Sequence, residues 1–98
     1  MIKVLMERDL PINFNVADDA QAARHARIAL DAITATQGKM HWMCTYATDR
    51  KLFGLVVAEN EQVIDDYVRS AGIESNLKIH RVVRVLDPSV AGPKLPSS

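Results

Sequence analysis

The sequence has little cysteine, no surplus of either charge and no long apolar run. Cys44 is the single cysteine in 98 residues, which excludes a disulfide within the chain. Twelve Lys and Arg balance twelve Asp and Glu, so neither nucleic acid nor an anionic membrane is an expected partner. No segment has the length of a membrane span, and the N-terminal MIKVLMERDL lacks the apolar stretch of a signal peptide. We therefore expect a cytoplasmic protein.

Two apolar runs joined by a polar turn occupy the middle of the chain and predict a β-hairpin. The first runs from Met40 to Thr48 and the second from Leu52 to Ala58, with a turn between them. The second is apolar on both faces, as expected of a strand covered on each side. Strict alternation in the first strand predicts one face with Trp42, Cys44 and Tyr46, and another with His41, Met43 and Thr45.

The segments on either side predict two helices and two more strands. The apolar run from Ile2 to Met6 predicts a first strand, and Leu77 to Leu86 a last one with a bulge near Val82. A helix is expected from Ala17 to about Thr36, capped near Asn15 and ended by Gly38, and another between Asn60 and Gly72. The expected apolar stripe of the first helix consists of Ala22, Ala26, Ala29, Leu30 and Ile33.

This order of elements predicts an α+β protein with the ferredoxin-like arrangement β-α-β-β-α-β. Such a domain, over residues 1–87, has a four-stranded antiparallel sheet with both helices on one face, followed by an irregular tail over residues 88–98. In the second strand of the hairpin, Phe53, Leu55 and Val57 alternate with Leu52, Gly54 and Val56, so the uncovered face would have no polar side for water. We therefore expect a homodimer that packs two sheets face to face, as in a dimeric α+β barrel.

Several short motifs occur together in a recognisable order. They are Glu7-Arg8, WMCTYATD with Trp42 and Tyr46, AENEQVI from Ala58, Ala71-Gly72 and Leu86-Asp87-Pro88. In these motifs, and over most of its length, the chain resembles a bacterial family of small ferredoxin-like domains of unknown function that includes a nickel-responsive, nickel-binding protein. The resemblance implies a ferredoxin-like fold and nickel binding. The chain departs from the pattern at Tyr67, where the family has a histidine, and at Glu74, where it has a proline.

Nickel accepts imidazole, thiolate and carboxylate ligands, so the candidate metal ligands are Glu7, His41, Cys44 and His80. His25 is less favoured, because it is expected on the exterior of the first helix. In a regular strand His41 and Cys44 would point to opposite faces. The second and fourth strands form opposite edges of a ferredoxin-like sheet, roughly 14 Å apart, so His41 and His80 of one chain cannot share an ion. We therefore expect any nickel or other divalent metal site at a dimer interface.

The aromatic residues offer a second possibility, a pocket for a small organic ligand between the packed sheets. The candidate ligand-binding residues are Trp42, Tyr46 and Tyr67, with Phe53 nearby, and ordinary packing would also explain these side chains. An enzyme of the dimeric α+β barrel type, such as an oxygenase, would need a polar group in that cleft. His80, Glu7 and Arg84 are the candidates, but no nucleophile and base stand at a recognised spacing.

RNA binding is the weakest alternative. KLFGLVVA loosely resembles the sheet motif of RNA-recognition domains, but only Phe53 in it can stack on a base. The sequence thus predicts a protein that binds a divalent metal or a small ligand at or near a dimer interface, with an oxygenase-like enzyme acting on a small organic substrate as the alternative.

Overall fold

The fold is described by a computed structural model over residues 1–73 and 76–94. Its helices and strands are β1 (Ile2–Asp9), α1 (Asp19–Thr34), β2 (Met40–Ala47), β3 (Lys51–Ala58), α2 (Glu61–Ala71) and β4 (Lys78–Arg81). The strands form an antiparallel sheet in the order β2-β3-β1-β4. The predicted ferredoxin-like fold class is confirmed, and β2 and β4 lie at opposite edges as expected.

The core lies between the helices and one face of the sheet. Alternate residues of the strands point to this face, and the buried ones are Val4, Met6, Met40, Leu52, Val56 and Ala58. Helix α2 covers them with Ile64, Tyr67 and Val68, whereas Ile33 is the buried residue of α1. Helix α2 therefore packs closely on the sheet, while the first turns of α1 stand further from it.

The helix ends follow from their capping residues. The side chain of Asn60 accepts a hydrogen bond from the Val63 amide, and Gly72 ends α2 in the left-handed conformation with φ 66°, as predicted. Helix α1 begins after Asp18, which accepts from the Gln21 amide at 3.0 Å. The predicted start at Ala17 with a cap near Asn15 is wrong, because the Asn15 side chain instead accepts a hydrogen bond from the Ala17 amide in a turn.

A β-bulge in β2 changes which side chains share a face. Trp42 pairs with Val56 and Cys44 pairs with Leu55, so Met43 is an extra residue between them. The prediction that Trp42, Cys44 and Tyr46 share a face is therefore wrong. Trp42 and Thr45 face the helices, whereas His41, Cys44 and Tyr46 lie on the other side of the sheet.

That other side, which we call the open face, carries alternate residues of all four strands. They are Lys3, Leu5, Glu7 and Asp9 of β1, His41, Cys44 and Tyr46 of β2, Lys51, Phe53, Leu55 and Val57 of β3, and Lys78 and His80 of β4. Cys44, Leu55, Leu5 and His80 form one row across the sheet. The open face is therefore apolar along its centre and polar at its rim.

The outer strands differ in length from the prediction. Strand β1 continues past Met6 to Asp9, because its last residues pair with the start of β3. Strand β4 is shorter than predicted: it ends at Arg81, although the Val82 amide still donates to the Lys3 carbonyl at 2.9 Å. Beyond that point β1 has almost no residues left to pair with. Because of this, the predicted bulge near Val82 does not form.

The segment after β4 is exposed. Val83 and Leu86 are 94% and 75% exposed, and Asp87 caps a short 3-10 helix, Pro88–Ala91, by accepting from the Ser89 amide. Residues 95–98 of the predicted tail lie outside the described residues. No helix in the described part of the chain is long and apolar enough to cross a membrane.

Candidate ligand-binding cavity and open face

A cavity of about 400 Å³ lies between the sheet and the first turns of α1. Its walls are mainly apolar and include Met6, Ile28, Trp42, Leu52, Val56 and Ile73. Roughly 300–1,000 Å³ is typical of small-molecule sites, and such sites combine apolar walls with few polar groups. The cavity therefore has the size and lining expected of a site for a small organic molecule.

The cavity exists because the residues that separate α1 from the sheet are small or polar. Gln21, His25 and Ala29 of α1 line it, and Gly54 of β3 contributes no side chain from the opposite wall. The predicted stripe is partly wrong, because Leu30 is 43% exposed and His25 takes a position facing the cavity instead. Large apolar residues at these positions would close the gap.

Arg8, His25 and Tyr67 form the polar end of the cavity. The Arg8 Nη2 atom lies 3.5 Å from His25 Nδ1. Burial, with the Arg8 charge as a second cause, lowers the pKa of His25, so the ring is neutral at pH 7 and can accept from the guanidinium. Burial lowers the pKa of Arg8, but a guanidinium stays charged at neutral pH because its ordinary pKa is so high. Burial raises the pKa of Tyr67, so the phenol stays protonated.

Two further contacts fix the aromatic walls. The Trp42 indole Nε1–H donates to the Thr45 hydroxyl at 2.9 Å, a contact that the bulge makes possible by placing both residues on the helix side. The Phe14 ring meets the His25 ring edge-on, with the centroids 5.7 Å apart. The indole face and the imidazole are thereby held in position around the cavity.

On the open face, Glu7 is the centre of a charged group. Lys51 Nζ lies 3.0 Å from Glu7 Oε2, and His80 Nε2 lies 3.1 Å from Glu7 Oε1. These hydrogen bonds, from Lys51 first and His80 second, lower the pKa of Glu7 and keep its carboxylate ionised. Both carboxylate oxygens are therefore already occupied by nitrogen donors.

The remaining candidate metal ligands lie elsewhere on this face. The bulge brings His41 and Cys44 to the same side of β2, so the expectation that they point to opposite faces is wrong. Cys44 lies two residues before Tyr46 on the same face, and its side chain raises the pKa of the Tyr46 phenol. Within residues 1–73 and 76–94, no group of three or more His, Cys, Asp or Glu side chains could hold a metal ion.

The structure divides the predicted ligand-binding residues between two faces of the sheet. Trp42 and Tyr67 line the cavity, whereas Tyr46 is 66% exposed on the open face. Sequence reasoning missed Arg8 and rated His25 as an exterior residue. A signal for Arg8 was present, because it continues the spacing of Val4 and Met6 and so shares their buried face.

Comparison with models of known protein families finds none that matches the chain, and comparison with curated proteins finds no match either.

Proposed function

We propose that the protein binds a small, mainly apolar organic molecule in the cavity between α1 and the sheet. The observation that carries this proposal is the cavity of about 400 Å³ itself. It has aromatic and aliphatic walls, and its polar end is formed by Arg8, His25 and Tyr67. The apolar walls would remove the ligand from water, and the polar end would orient it.

The side chains around the cavity favour binding over catalysis. In the described part of the chain the lining contains no Asp, Glu, Ser or Cys, and the Thr45 hydroxyl is already bonded to Trp42. Glu7 and His80, which an oxygenase-like enzyme could have used, lie on the open face. The lining thus supplies recognition groups without a carboxylate base or a nucleophile paired with one.

Trp42 is the single tryptophan and lines the cavity, so its fluorescence reports on occupancy. We expect a panel of small aromatic and aliphatic molecules to include some that change this fluorescence saturably. Ala29→Phe, which fills the cavity, should abolish the response. Ala23→Phe places the same side chain on the exposed side of the same helix and should preserve it. No response to any molecule, or an unchanged response in Ala29→Phe, would contradict the proposal.

We also propose that the protein is a cytoplasmic homodimer whose open faces pack together. Leu5, Phe53, Leu55 and Val57 form a continuous apolar strip on this face, flanked by charges. Val83, Val85 and Leu86 expose further apolar surface after β4. A second copy would cover the strip and provides the closed symmetry usual among small oligomers.

Light scattering coupled to size exclusion tests the dimer. We expect twice the mass of the chain at micromolar concentration for the native protein, and one chain for Leu55→Lys, which adds a charge at the centre of the strip. Ile12→Lys alters a residue that is 92% exposed and off the open face, and should stay dimeric. A monomeric native protein would overturn this assembly.

A divalent metal site between two such open faces is a second candidate. It is favoured by the pairing of Glu7 with His80 and by the placement of His41 and Cys44 on the same face. Because Lys51 and His80 occupy both Glu7 oxygens, an ion would have to displace them and draw ligands from both copies. This requirement makes the metal site less favoured than the cavity.

Equilibrium dialysis against nickel and other divalent ions, followed by elemental analysis, tests this second candidate. If the site exists, the ion is taken up stoichiometrically and uptake falls in His41→Ala or His80→Ala. His25→Ala changes the histidine on the cavity side and should leave uptake intact. Absence of uptake for every ion would end the metal proposal while leaving the cavity proposal untouched.

A further inference from the structure

We propose that the molecule held in the cavity is a monocarboxylic acid with a compact apolar body, and that Arg8 binds its carboxylate. This inference rests on the proposed function and names the chemical class of the ligand. The apolar walls would receive the body of the acid, and the polar end of the cavity its charged head.

Arg8 differs from those arginines of the described residues that form ion pairs. Arg27, Arg69 and Arg81 lie on the surface and each approaches a carboxylate: Asp31, Asp66 and Glu61 respectively. Arg8 is half-buried, yet within residues 1–73 and 76–94 no carboxylate lies within salt-bridge distance of it. A guanidinium is always charged in proteins, so burying it without an anion is costly.

The contact that Arg8 does make leaves most of its hydrogen-bonding capacity unused. Its neighbour is the His25 imidazole, at 3.5 Å, which is at the long limit for a hydrogen bond. A guanidinium has five N–H donors in a planar fork, and the geometry of that fork matches the two oxygens of a carboxylate. The unfilled role at this end of the cavity is therefore that of a bidentate acceptor.

The rest of the cavity lining favours a ligand that carries a single negative charge. Arg24 and Gln21 line the cavity from α1, and its described lining contains no acidic side chain. His25 is neutral and serves as an acceptor for Arg8 rather than as a second cation. Arg24 is exposed, so Arg8 is the half-buried guanidinium of the described lining. A single half-buried guanidinium suits a carboxylate with one charge better than a phosphate with nearly two, and the apolar walls require an uncharged body.

Matched pairs of acid and amide test this inference in the native protein, with Trp42 fluorescence as the readout. The pairs are phenylacetate with phenylacetamide and octanoate with octanamide, each pair nearly equal in size and shape. We expect each acid to bind about tenfold tighter than its amide at neutral pH, since charge-assisted hydrogen bonds are about twice as strong as neutral ones.

Variants of Arg8 test whether this residue causes the preference for acids over amides. Arg8→Gln should remove the advantage of the acids, and Arg8→Lys should retain only part of it, because an ammonium lacks the planar fork. Arg27→Gln removes an exposed arginine of α1 and should leave the advantage unchanged. Glu74 is an acidic residue outside the described residues, so a separate variant tests whether it is a partner of Arg8. Glu74→Gln should leave the affinity for the acids within about twofold, whereas loss of a charged partner of Arg8 would change that affinity about tenfold.

The outcomes separate this inference from the proposed function. Amides that bind as tightly as their acids, or an acid preference that survives Arg8→Gln, would overturn the inference and leave the cavity as a site for neutral molecules. Acid binding that strengthens at least about tenfold in Glu74→Gln would overturn it as well, because Arg8 would then already have a carboxylate partner. If neither member of either pair changes Trp42 fluorescence, the inference is overturned, and the proposed function fails with it only when the wider panel of small molecules gives no response either.

Discussion

At the scale of single residues, the cavity depends on polar side chains placed among apolar ones. Arg8 follows Val4 and Met6 on the buried side of β1, where an apolar residue would be expected. His25 stands in the same way on the inner side of α1. Such residues interrupt the apolar pattern on the buried side of their strand or helix, and positions of this kind are often functional sites.

The contact between Trp42 and Thr45 should be measurable in stability. Thr45→Val keeps the shape of the side chain but leaves the indole N–H without its acceptor. We expect a loss of about 1 kcal/mol in the free energy of unfolding, measured by denaturant titration. Thr45→Ser keeps the hydroxyl and should remain within about 0.5 kcal/mol of the native protein. Equal stability of Thr45→Val and the native protein would mean that the contact contributes nothing.

His25 predicts a dependence of stability on pH. Its pKa is lowered below the ordinary value of 6.5 by burial and by Arg8, with Arg24 and Tyr67 also lining the same cavity. The unfolded chain therefore binds a proton at His25 before the folded chain does. The associated stability is complete above pH 6.5 and is lost as pH falls from there through the lowered pKa of the folded protein.

His25→Gln cannot titrate and should show a shallower decline in unfolding free energy across this pH range. His41→Gln changes an exposed histidine on the open face and serves as the control, with a profile like that of the native protein. Parallel profiles for His25→Gln and the native protein would contradict the assignment.

Sequence reasoning at this scale found Trp42 and Tyr67 but not the cationic end of the cavity. Glu7, Arg8 and Asp9 are consecutive charges, and such a run is ordinarily solvated, so the sequence predicts that the strand ends before them. Pairing of these three residues with the start of β3 extends β1 and turns Arg8 inward. That pairing is a tertiary contact, which local composition does not reveal.

At the scale of helices and strands, α2 is tightly packed and clearly capped, whereas α1 is loosely packed. Asn60 and Gly72 are signals that act locally, and the sequence predicted both of them correctly. The bulge at Met43 gave no such signal, because Met, Trp and Cys are acceptable on either face of a strand. Its position is set by the pairing of β2 with β3, in which Leu52 and Val56 must face the helices.

The end of α2 provides a test at this scale. Gly72 has φ 66°, and a Cβ placed there would meet nothing within 4 Å. Gly72→Ala should therefore destabilise the fold by about 1 kcal/mol through backbone strain alone. Gly72→Asn should cost less, because asparagine tolerates this conformation better. Thermal or denaturant unfolding measures both, and an unaffected Gly72→Ala would contradict the capping role.

The loose packing of α1 predicts a difference in amide hydrogen exchange. Amides in the first turns of α1 should exchange faster than those of α2, because the cavity separates them from the sheet. Octanoate at saturating concentration should slow exchange in the first turns of α1. Unchanged exchange in α1 on addition of octanoate would contradict a ligand site between α1 and the sheet.

At the scale of the whole molecule, the sheet has two different surfaces. The helix side encloses the core and the cavity, and the open face presents the apolar strip of Leu5, Phe53, Leu55 and Val57. The radius of gyration is 16.1 Å and the long axis 53 Å, whereas a compact domain of this length has a radius of about 13 Å. The exposed segment after β4 is consistent with this elongation.

The order of elements was predictable from the sequence, because apolar runs and caps mark each of them locally. The location of the candidate ligand site was not. The aromatic residues suggested a pocket between two sheets, but the extra residue Met43 turns Trp42 toward the helices and leaves Tyr46 on the open face. A change of one residue in register thus moved the candidate site from one side of the sheet to the other.

Nuclear Overhauser effects between bound octanamide and the methyl groups of the protein test the central claim most directly. Binding in the cavity predicts contacts to Met6, Ile28, Leu52 and Val56, which line it. The uncharged amide makes this result independent of the role of Arg8. Contacts to Leu5, Leu55 and Val57 of the open face instead, or no contacts to the protein at all, would contradict a ligand site between α1 and the sheet.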